Sequence, residues 1–400
     1  MIGVWFYIYG SALCVGVILK SNQVPYSEKT SKREKTSIVY YPFSNFLDEA
    51  LYKDTGGYAT SLSKLGYDSH LIVGKLSCHP PEGVTVHCTG NLQFNKASSY
   101  FLEIMIVLKL FDKIKPKVIV FFPRNPLNPL FTIYMKFSKL LFKSKNVKLI
   151  LKLDTSGESG HLSASMRLAQ RLLFLSMQML YDLILIETGC AFETLSRMVK
   201  NKKIRVVRNG YSDKAILLPE RNVNREQIVL SVSRIVKEKG VHLLIKSYYH
   251  AIQKFPEWKL AIVGYIQEPE YFYELQKLVA ELKLDDRVTF LGSIPQNTLR
   301  DLMVKSGIFC LLSLRESFGI VRAEAIASGI PMITSTAGCG IEFSKCGSLI
   351  VPIGDIKASS NAMIELMADK TLRESISESQ FGCLRTWDDS VKEMLCFIHS

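Results

Sequence analysis

The chain of 400 residues is longer than one ordinary domain and fits two domains of about 150–200 residues. Hydrophobic residues make up 48% and charged residues 22%, which excludes a wholly disordered chain. The formal net charge of +13 lies in one half: residues 1–212 contain 28 Lys and Arg against 14 Asp and Glu, and residues 213–400 contain 22 against 23. A basic half favours a polyanionic partner, which fits a nucleic-acid binder, a membrane-surface protein or an enzyme with an anionic substrate.

The first 19 residues carry no charged side chain and are mostly apolar. Built as a helix, they would extend about 28 Å, close to the thickness of the hydrocarbon core of a bilayer. Five basic residues follow before position 36, so the positive-inside rule places the rest of the chain in the cytoplasm. We therefore predict a membrane anchor at 1–19 and a basic linker at 20–36. The alternatives are a misassigned start codon and an apolar helix that packs on the fold.

From residue 37 onward, short apolar and β-branched segments alternate with longer helical ones, for example the helices predicted over 242–254 and 271–282. This alternation predicts an α/β fold with parallel sheets and right-handed crossovers. The first series of predicted strands is 37–41, 70–73, 84–88, 118–122, 147–153, 183–186 and 204–207. The second series is 228–231, 259–263, 288–291, 308–312, 331–334 and 348–351.

The two series are separated near 210–227, where Asn209-Gly210 and Pro219 interrupt the pattern. We therefore expect two Rossmann-like parallel-sheet domains that face each other across a cleft. Ligands in such folds bind at the carboxyl ends of the strands.

The nine cysteines are far below the density of a disulfide scaffold and favour a reducing, cytoplasmic compartment. The doublets Cys78-His79 and His87-Cys88 offer side chains that zinc prefers. Residues 84–87 alternate like a strand, so the favoured interpretation of the doublets is two strand ends and a loop. Metal binding is the minor alternative.

Residues 130–145 predict a basic amphipathic helix. At 100° per residue, three large apolar side chains share one face and three lysines lie well round from it: Phe131, Met135 and Phe142, and Lys136, Lys139 and Lys143. Such a helix can lie in a membrane interface, or it can cover a sheet with its lysines in water. The apolar N-terminal segment and the basic linker make the membrane helix and the sheet-covering helix about equally favoured.

The strongest functional signal lies between residues 228 and 351. Arg234 follows the first strand of the second series, and Lys239-Gly240 comes five residues later, just before a helix. After strand 308–312 come two glutamates eight residues apart, in the sequence Glu316-Ser317-Phe318-Gly319-Ile320-Val321-Arg322-Ala323-Glu324.

Each of these groups suits one part of a nucleotide-sugar. Arg234 and Lys239 supply positive charge for a diphosphate. The free N–H groups of the helix that begins near Phe318 favour an anion, and the carboxylates of Glu316 and Glu324 can accept hydrogen bonds from ribose or sugar hydroxyls. Taken singly, such carboxylates are usually helix caps and such cations usually lie in a solvated loop. Their ordered combination at strand ends predicts a nucleotide-sugar site.

This combination resembles the retaining glycosyltransferases of the GT-B fold, in the group called glycosyltransferase family 4 or group 1. The resemblance covers nearly all of 37–384. Glu316 and Glu324 match the Glu-x7-Glu motif, and Ser233-Arg234 and Lys239-Gly240 match the Gly-Arg and Lys-Gly pairs of the family.

Two glycine motifs of the first domain extend the resemblance. Asn209-Gly210 resembles the Asn-Gly of the family just before the interdomain linker. Gly56-Gly57 resembles the glycine pair beside the donor phosphate, where a bare backbone can approach an anion at a helix start. By this resemblance, Gly57 and Asn209 are donor-binding residues.

The resemblance also implies the roles of the second domain's residues. Arg234 and Lys239 would bind the donor diphosphate, and Glu324 would bind the ribose. Glu316 would hold the transferred sugar together with the Phe318-Gly319 backbone. The other donor-binding residues would be Ser317, Ile320 and Val321, the last two through their amides. No metal or other cofactor is implied, because two cations neutralise the leaving group, and the reaction would retain configuration without a covalent protein intermediate.

The sequence departs from the family pattern in three places. Ser233 replaces the usual Gly before Arg234, and Tyr211-Ser212 replaces the usual Val-Asp after Asn-Gly. No His follows strand 147–153, where many members carry one that contacts the sugar; the nearest is His161. Asp154 either takes that space or belongs to an Asp-Thr-Ser-Gly turn. The identity of the donor sugar is left open.

We predict a retaining glycosyltransferase of the hexosyltransferase type on the cytoplasmic face of a membrane. Residues 37–212 would hold a glycan or a lipid-linked acceptor with a phosphate or diphosphate headgroup, and residues 213–384 would hold the nucleotide-diphosphate sugar. Residues 385–400 would return to the first domain, with Trp387 as a packing anchor.

Two alternatives to a transferase stay open. One is a nucleotide-sugar epimerase of the same fold, and the other is an inactive homologue that serves as a membrane-bound partner subunit. A nucleic-acid partner is not expected, because the first domain has no recognised binding motif.

Overall fold

The computed structural model describes residues 16–17, 37–40, 54–76, 79–90, 97–121, 147–153, 164–198, 203–211, 224–383 and 385–399. The chain divides into two compact units. The first unit comprises Met1–Glu187, Ala191–Gly210 and Trp387–Ser400, and the second comprises Thr188–Cys190 and Tyr211–Thr386.

The first unit contains an eight-stranded sheet: β1 (Gly16–Val17), β2 (Ser37–Tyr40), β3 (Asp68–Val73), β4 (Val84–Cys88), β5 (Val118–Phe121), β6 (Lys148–Leu153), β7 (Leu183–Ile186) and β8 (Ile204–Val206). Its order is β4-β3-β2-β1-β5-β6-β7-β8, with a further pairing of β2 with β5. The strands are parallel except β1, which pairs antiparallel with β2 and β5.

Helices connect these strands and supply two hydrophobic cores. They are α1 (Asp54–Lys64), α2 (Ala97–Ile114), α3 (Ala164–Leu180), α4 (Gly189–Met198) and the last helix of the chain, α11 (Trp387–His399). Successive strand residues alternate between the cores: Leu71 and Val73 lie in one and Ile72 in the other. The two cores therefore lie on opposite faces of the sheet.

The second unit contains six parallel strands: β9 (Glu226–Val232), β10 (Lys259–Val263), β11 (Val288–Gly292), β12 (Ser306–Leu311), β13 (Met332–Ser335) and β14 (Leu349–Val351). Their order is β11-β10-β9-β12-β13-β14, the doubly wound order of a dinucleotide-binding sheet. Its helices are α5 (Val241–Ile252), α6 (Pro269–Glu281), α7 (Gln296–Lys305), α8 (Ile320–Ala327), α9 (Ile356–Ala368) and α10 (Lys370–Phe381). Two 3-10 helices, Lys237–Lys239 and Gly340–Cys346, lie in its loops.

All thirteen predicted strands are present, with boundaries within two residues of those expected. The predicted α/β class with two Rossmann-like sheets is thus confirmed. The helices expected over 242–254 and 271–282 are α5 and α6.

The N-terminal segment was not expected to contribute a strand. Gly16 and Val17 are nevertheless extended, and they pair with Tyr40, Ile119 and Val120. The rest of 1–19, the linker and the helix predicted over 130–145 lie outside the described residues. Within the ranges that the structure describes, no helix combines the length and apolar character needed to cross a bilayer.

Trp387 fixes α11 to the core of the first unit. Its side chain is buried, and its ring centroid lies 5.2 Å from that of Tyr58 on α1. A Cβ placed on Gly57 would lie only 2.4 Å from the Trp387 indole, so the indole occupies the space of the missing side chain. The hydroxyl of Ser390 also donates to the carbonyl of Arg208 at 2.7 Å. These contacts confirm the predicted packing role of Trp387.

We expect Gly57→Ala to lower the melting temperature, because the added methyl group has no room beside Trp387. Overpacking of this kind costs about 1–3 kcal/mol. Thermal unfolding followed by circular dichroism measures the effect. Gly382→Ala is the matched control, since its Cβ would meet only the Ser379 carbonyl, at 3.4 Å. Equal melting temperatures for the two variants would contradict the packing argument.

Candidate functional site

The candidate site is built on the carboxyl ends of β9 and β12, which are neighbours in the second sheet. The chain leaves β9 through Ser233-Arg234 and leaves β12 through Ser313 and Glu316. Because the carboxyl ends of parallel strands meet at one edge of a sheet, the two sequence motifs are brought to the same place.

A glycine allows the two loops to approach each other. Gly240 follows the 3-10 helix Lys237–Lys239 in the left-handed region, with φ of 65°. A Cβ at this position would lie 2.2 Å from the Leu312 carbonyl oxygen, so only glycine fits. The N–H of Leu314 donates to the carbonyl of Glu238 at 2.7 Å and ties the loops together. Lys239 is thereby held beside Glu316.

Lys239 and Glu316 form an ion pair, with 2.7 Å between Nζ and Oε2. Each side chain is 11% exposed, so water screens the pair weakly. The Ser313 hydroxyl donates to the same carboxylate oxygen at 3.3 Å. Burial would raise the pKa of Glu316, but the Lys239 ammonium, the Arg322 guanidinium and the two hydrogen bonds outweigh it and hold the pKa below its usual value.

Arg234 also has a carboxylate partner. Its Nη2 lies 3.0 Å from Oε1 of Glu238, and its Nη1 donates to Oε1 of Gln267. Both predicted diphosphate-binding cations thus have a glutamate partner: Arg234 pairs with Glu238 of its own loop, and Lys239 pairs with Glu316 of the loop after β12. The Arg234–Glu238 and Lys239–Glu316 pairs therefore carry no net charge together.

Helix α8 carries the second half of the Glu-x7-Glu motif. Gly319 is its N-cap, with φ of 71°, and Ile320 and Val321 form its first turn, where N–H groups have no partner inside the helix. Glu324 lies half-buried in the middle of α8, and its carbonyl accepts from the N–H and hydroxyl of Ser328.

The loop after β13 packs against the turn that precedes α8. A Cβ on Gly338 would lie 2.2 Å from the carbonyl oxygens of Glu316 and Ser317. The N–H of Cys339 donates to the Ser317 carbonyl at 3.2 Å. Phe318 is buried and packs against Phe343, so its side chain belongs to the core and only its backbone is left for a ligand.

Arg322, in the first turns of α8, was not among the predicted site residues. It is fully buried, and its guanidinium donates to the Thr334 hydroxyl at 2.9 Å and to the carbonyl of Ala337 at 3.1 Å. Helical periodicity could have found it, because positions 325 and 326, three and four residues later, are buried alanine and isoleucine. An arginine on a buried helix face needs an explanation.

Asn209, predicted to bind the donor, lies inside a buried polar cluster of the first unit. Nζ of Lys152 lies 2.6 Å from Oε1 of Glu187 and 2.8 Å from Oδ1 of Asn209, and Nδ2 of Asn209 donates to Glu187 at 2.8 Å. All three residues are almost fully buried. The cluster joins the carboxyl ends of β6, β7 and β8, and it accounts for the buried amide at position 209.

Donor contacts by Asn209 and Gly57 therefore stay predictions. Each residue has a structural explanation within the first unit: the Lys152 cluster for the Asn209 amide, and the Trp387 indole for the missing side chain of Gly57. The burial of Lys152 was not predicted, because a single lysine in an apolar strand is expected to face solvent. Asp154 and Ser212 lie outside the described residues.

The second cysteine doublet lies at the end of a strand, as expected. His87 and Cys88 end β4, and Nε2 of His87 lies 3.1 Å from Nδ1 of His70 on β3. Cys78 lies outside the described residues. Among the residues that are described, no cluster of three or more side chains could hold a metal ion.

Two cysteines are paired, which the sequence expectation of a reducing compartment did not include. Cys346 and Cys383 form a disulfide, with 5.7 Å between their Cα atoms. The bond links the 3-10 helix Gly340–Cys346 to the end of α10. Sequence could not predict it, because the partners are 37 residues apart and meet only in the folded unit.

The part of the chain that carries the site is similar to a known family. Residues 215–381 match the family described as glycosyl transferases group 1. N-acetyl-alpha-D-glucosaminyl L-malate synthase of Bacillus anthracis is 30% identical over 196 residues, which cover 46% of this chain and 50% of that protein. The gpi3 subunit of the phosphatidylinositol N-acetylglucosaminyltransferase of Schizosaccharomyces pombe is 26% identical over 181 residues, 45% of this chain and 39% of the relative. The chain thus matches about half or less of these relatives' length.

Solved structures extend the likeness of fold to the first unit. HepE of Anabaena, in complex with UDP and glucose, superposes with a TM-score of 0.69 at 16% identity, covering 89% of this chain and 98% of that one. At this identity the likeness concerns the fold alone. Both units have Rossmann-like sheets, and residues 215–381, which carry the ion pair and the Glu-x7-Glu motif, match the family described as glycosyl transferases group 1.

Proposed function

We propose that the chain is a glycosyltransferase that moves a sugar from a nucleotide-diphosphate sugar to an acceptor with retention of configuration. The observation that carries the proposal is the Lys239–Glu316 ion pair at the strand ends beside the start of α8. A cation, a carboxylate and free helix N–H groups are the groups that a diphosphate and a hydroxylated sugar require.

The residues of the second unit divide these tasks. Arg234 and Lys239 bind the diphosphate and neutralise the charge that develops on it as the glycosidic bond breaks. Both are held by glutamates, so the site presents them in fixed positions. The N–H groups of Ile320 and Val321 add to the phosphate contacts.

The carboxylates and the turn before α8 would hold the hydroxylated parts of the donor. Glu316, kept ionised by its neighbours, accepts hydrogen bonds from the transferred sugar. Ser317 and the Phe318-Gly319 backbone line the same place, and Glu324 accepts from the ribose. Relatives named for N-acetylglucosaminyl transfer, and a structural neighbour solved with UDP and glucose, make UDP-hexoses the first donors to test.

For the acceptor we propose a lipid-linked glycan with an anionic headgroup at the cytoplasmic face of a membrane. Residues 1–212 contain 28 basic and 14 acidic residues, and the same part of the chain contains the apolar segment 1–19. Positive charge near a membrane surface attracts anionic lipids and lipid phosphates.

A second candidate is a subunit that is inactive unless assembled. It is favoured by the relative that is named as a subunit of a larger transferase, and by the absence of His just after β6. Donor binding by the pure chain without turnover, restored in membrane extract, distinguishes this candidate from an autonomous enzyme.

The donor test is a panel of nucleotide-sugars with lipid extract, read for both hydrolysis and transfer.

We expect Glu316→Gln to lower kcat about 100-fold with a smaller change in KM, because the buried carboxylate acts on the reacting sugar. We expect Glu324→Gln mainly to raise KM. Glu365→Gln, at an exposed position of α9, is the control. Wild-type kinetics in both site variants would refute the assignment.

The diphosphate test replaces both cations. Arg234→Ala/Lys239→Ala should abolish measurable turnover and weaken binding of UDP, since each removed cation is worth about 10²–10³-fold. Calorimetric titration with UDP measures binding, and a melting curve verifies folding. Lys237→Ala changes an exposed lysine of the same 3-10 helix and should bind UDP normally. Normal binding by the double variant would remove the phosphate role.

The membrane test fractionates cells that express the full chain. We expect the protein in the membrane fraction; if residues 1–19 anchor it, alkaline carbonate should leave it there. If only basic residues hold it, 1 M salt should release it, because salt screens surface charge. Recovery of all the protein in the supernatant before any wash would contradict membrane association.

A further inference from the structure

Arg322 is a buried cation whose charge is not neutralised by direct contact. Its side chain is fully buried, and in the part of the chain that the structure describes no carboxylate forms an ion pair with it. Its hydrogen bonds go to neutral acceptors: the Thr334 hydroxyl and the carbonyls of Ala337 and Phe318, at 2.9, 3.1 and 3.4 Å. A buried charge costs several kcal/mol, so its presence calls for a compensating anion nearby.

The acceptors of Arg322 belong to two stretches of the chain, the turn before α8 and the end of β13 with its loop. Phe318 lies in the turn before α8, Thr334 at the end of β13, and Ala337 in the loop that follows. The planar guanidinium holds these segments together in a way that a lysine ammonium cannot match. The Phe343 ring, 5.7 Å from the guanidinium carbon, covers it from the side of the 3-10 helix Gly340–Cys346. From inside the unit, Arg322 thus stabilises the turn that carries Glu316.

The Arg322 guanidinium acts electrostatically on the carboxylate of Glu316. A Cβ on Gly319 would lie 3.1 Å from Cγ of Glu316 and 3.3 Å from Cδ of Arg322, so the two side chains flank the same glycine. Lys239 faces the carboxylate from the 3-10 helix and Arg322 faces it from α8. Two cations therefore surround one carboxylate, and the group keeps one positive charge in excess.

We propose that Arg322 is a positioning residue of the donor site: it holds the Glu316–Gly319 turn in place, keeps Glu316 ionised, and supplies the excess charge that a nucleoside diphosphate neutralises. The role of the excess charge in binding a nucleoside diphosphate rests on the function proposed above. The roles of Arg322 in holding the turn and in keeping Glu316 ionised concern the folded unit alone. The Arg322 guanidinium and the Lys239 ammonium hold the pKa of Glu316 below its usual range, against burial, which raises it.

The groups that face Glu316 define what a pH experiment reports. Among the described residues they are the Lys239 ammonium, the Ser313 hydroxyl and the Arg322 guanidinium, with the Cys339 thiol next to Arg322 and the Arg234–Glu238 pair on the adjoining loop. The carboxyl group that the proposal concerns is that of Glu316, whose pKa is held below its usual value, and Glu238 is the other carboxylate in the set. A parallel measurement on Glu238→Gln separates the two carboxylates.

The experiment compares Arg322→Met and Arg322→Lys with Arg373→Met. Arg373 is a matched control, because it also donates to main-chain carbonyls, of Leu366 and Met367, and covers an aromatic ring, that of Trp258. Each variant is measured for the pH dependence of kcat and for the affinity of UDP. We expect the acid limb of Arg322→Met to move up by about one pH unit, since an opposite charge has been removed. Arg322→Lys should keep the wild-type limb but lose about tenfold in kcat, because the charge remains while the turn loosens.

A double-mutant cycle tests the part that does not depend on activity. At pH 7, Glu316→Gln should lower the melting temperature more in wild-type protein and in Arg322→Lys protein, which keep the positive charge, than in Arg322→Met protein. The difference should vanish at a pH where Glu316 is protonated. If the wild-type protein binds no nucleotide-sugar, the proposed function fails while this coupling is still measured. Absence of coupling, or an unmoved acid limb in Arg322→Met with the same loss as Arg373→Met, would overturn the proposal. If Arg322→Met does not fold, Arg322→Lys decides: an unchanged kcat or a shifted acid limb in that variant would overturn the proposal.

Discussion

The ion pair between Lys239 and Glu316 is the constraint around which the loops of the second unit are arranged. Its two side chains are nearly removed from water, and loss of one partner of such a pair costs about 3–5 kcal/mol. To bring them within 2.7 Å, the loop after β9 must touch the strand end at Leu312, and the loop after β13 must touch the turn at Glu316. Gly240 and Gly338 stand at these two contacts, where a Cβ would collide with a carbonyl oxygen. The glycines are thus consequences of the charge pair's position.

The charges of the site explain how it can hold an anion and remain folded without one. Arg234–Glu238 and Lys239–Glu316 are each internally neutral, so neither pair leaves an uncompensated charge in the unit. The positive excess comes from Arg322, which lies behind the turn and is held by neutral dipoles. A diphosphate would meet cations that are already oriented, with little side-chain entropy left to lose. Low pH acts against this arrangement: once Glu316 is protonated, two buried cations face each other without their anion.

Sequence periodicity predicted the sheets well because each strand is a short apolar segment bounded by turn residues, and burial on both faces leaves such segments unmistakable. The motif residues Arg234, Lys239 and Glu316 were also predicted, since parallel topology alone brings strand ends together. Three features escaped prediction for one reason. The Trp387 indole beside Gly57, the Lys152 cluster around Asn209 and the bonds of Arg322 each join segments that are distant in sequence. A missing side chain at Gly57 looks the same in sequence whether an anion or an indole fills the space.

The Lys152 cluster also sharpens the meaning of the charge asymmetry. A buried lysine could have reduced the number of cations that face solvent, but Lys152 is buried together with Glu187, so the burial removes one charge of each sign. The excess of 28 basic over 14 acidic residues in 1–212 is therefore undiminished by this pairing. The other half is balanced, at 22 against 23, although it holds the cations of the candidate phosphate site. Donor recognition as proposed needs only local charge, so the basic excess of residues 1–212 supports the proposal of an anionic acceptor at a membrane surface.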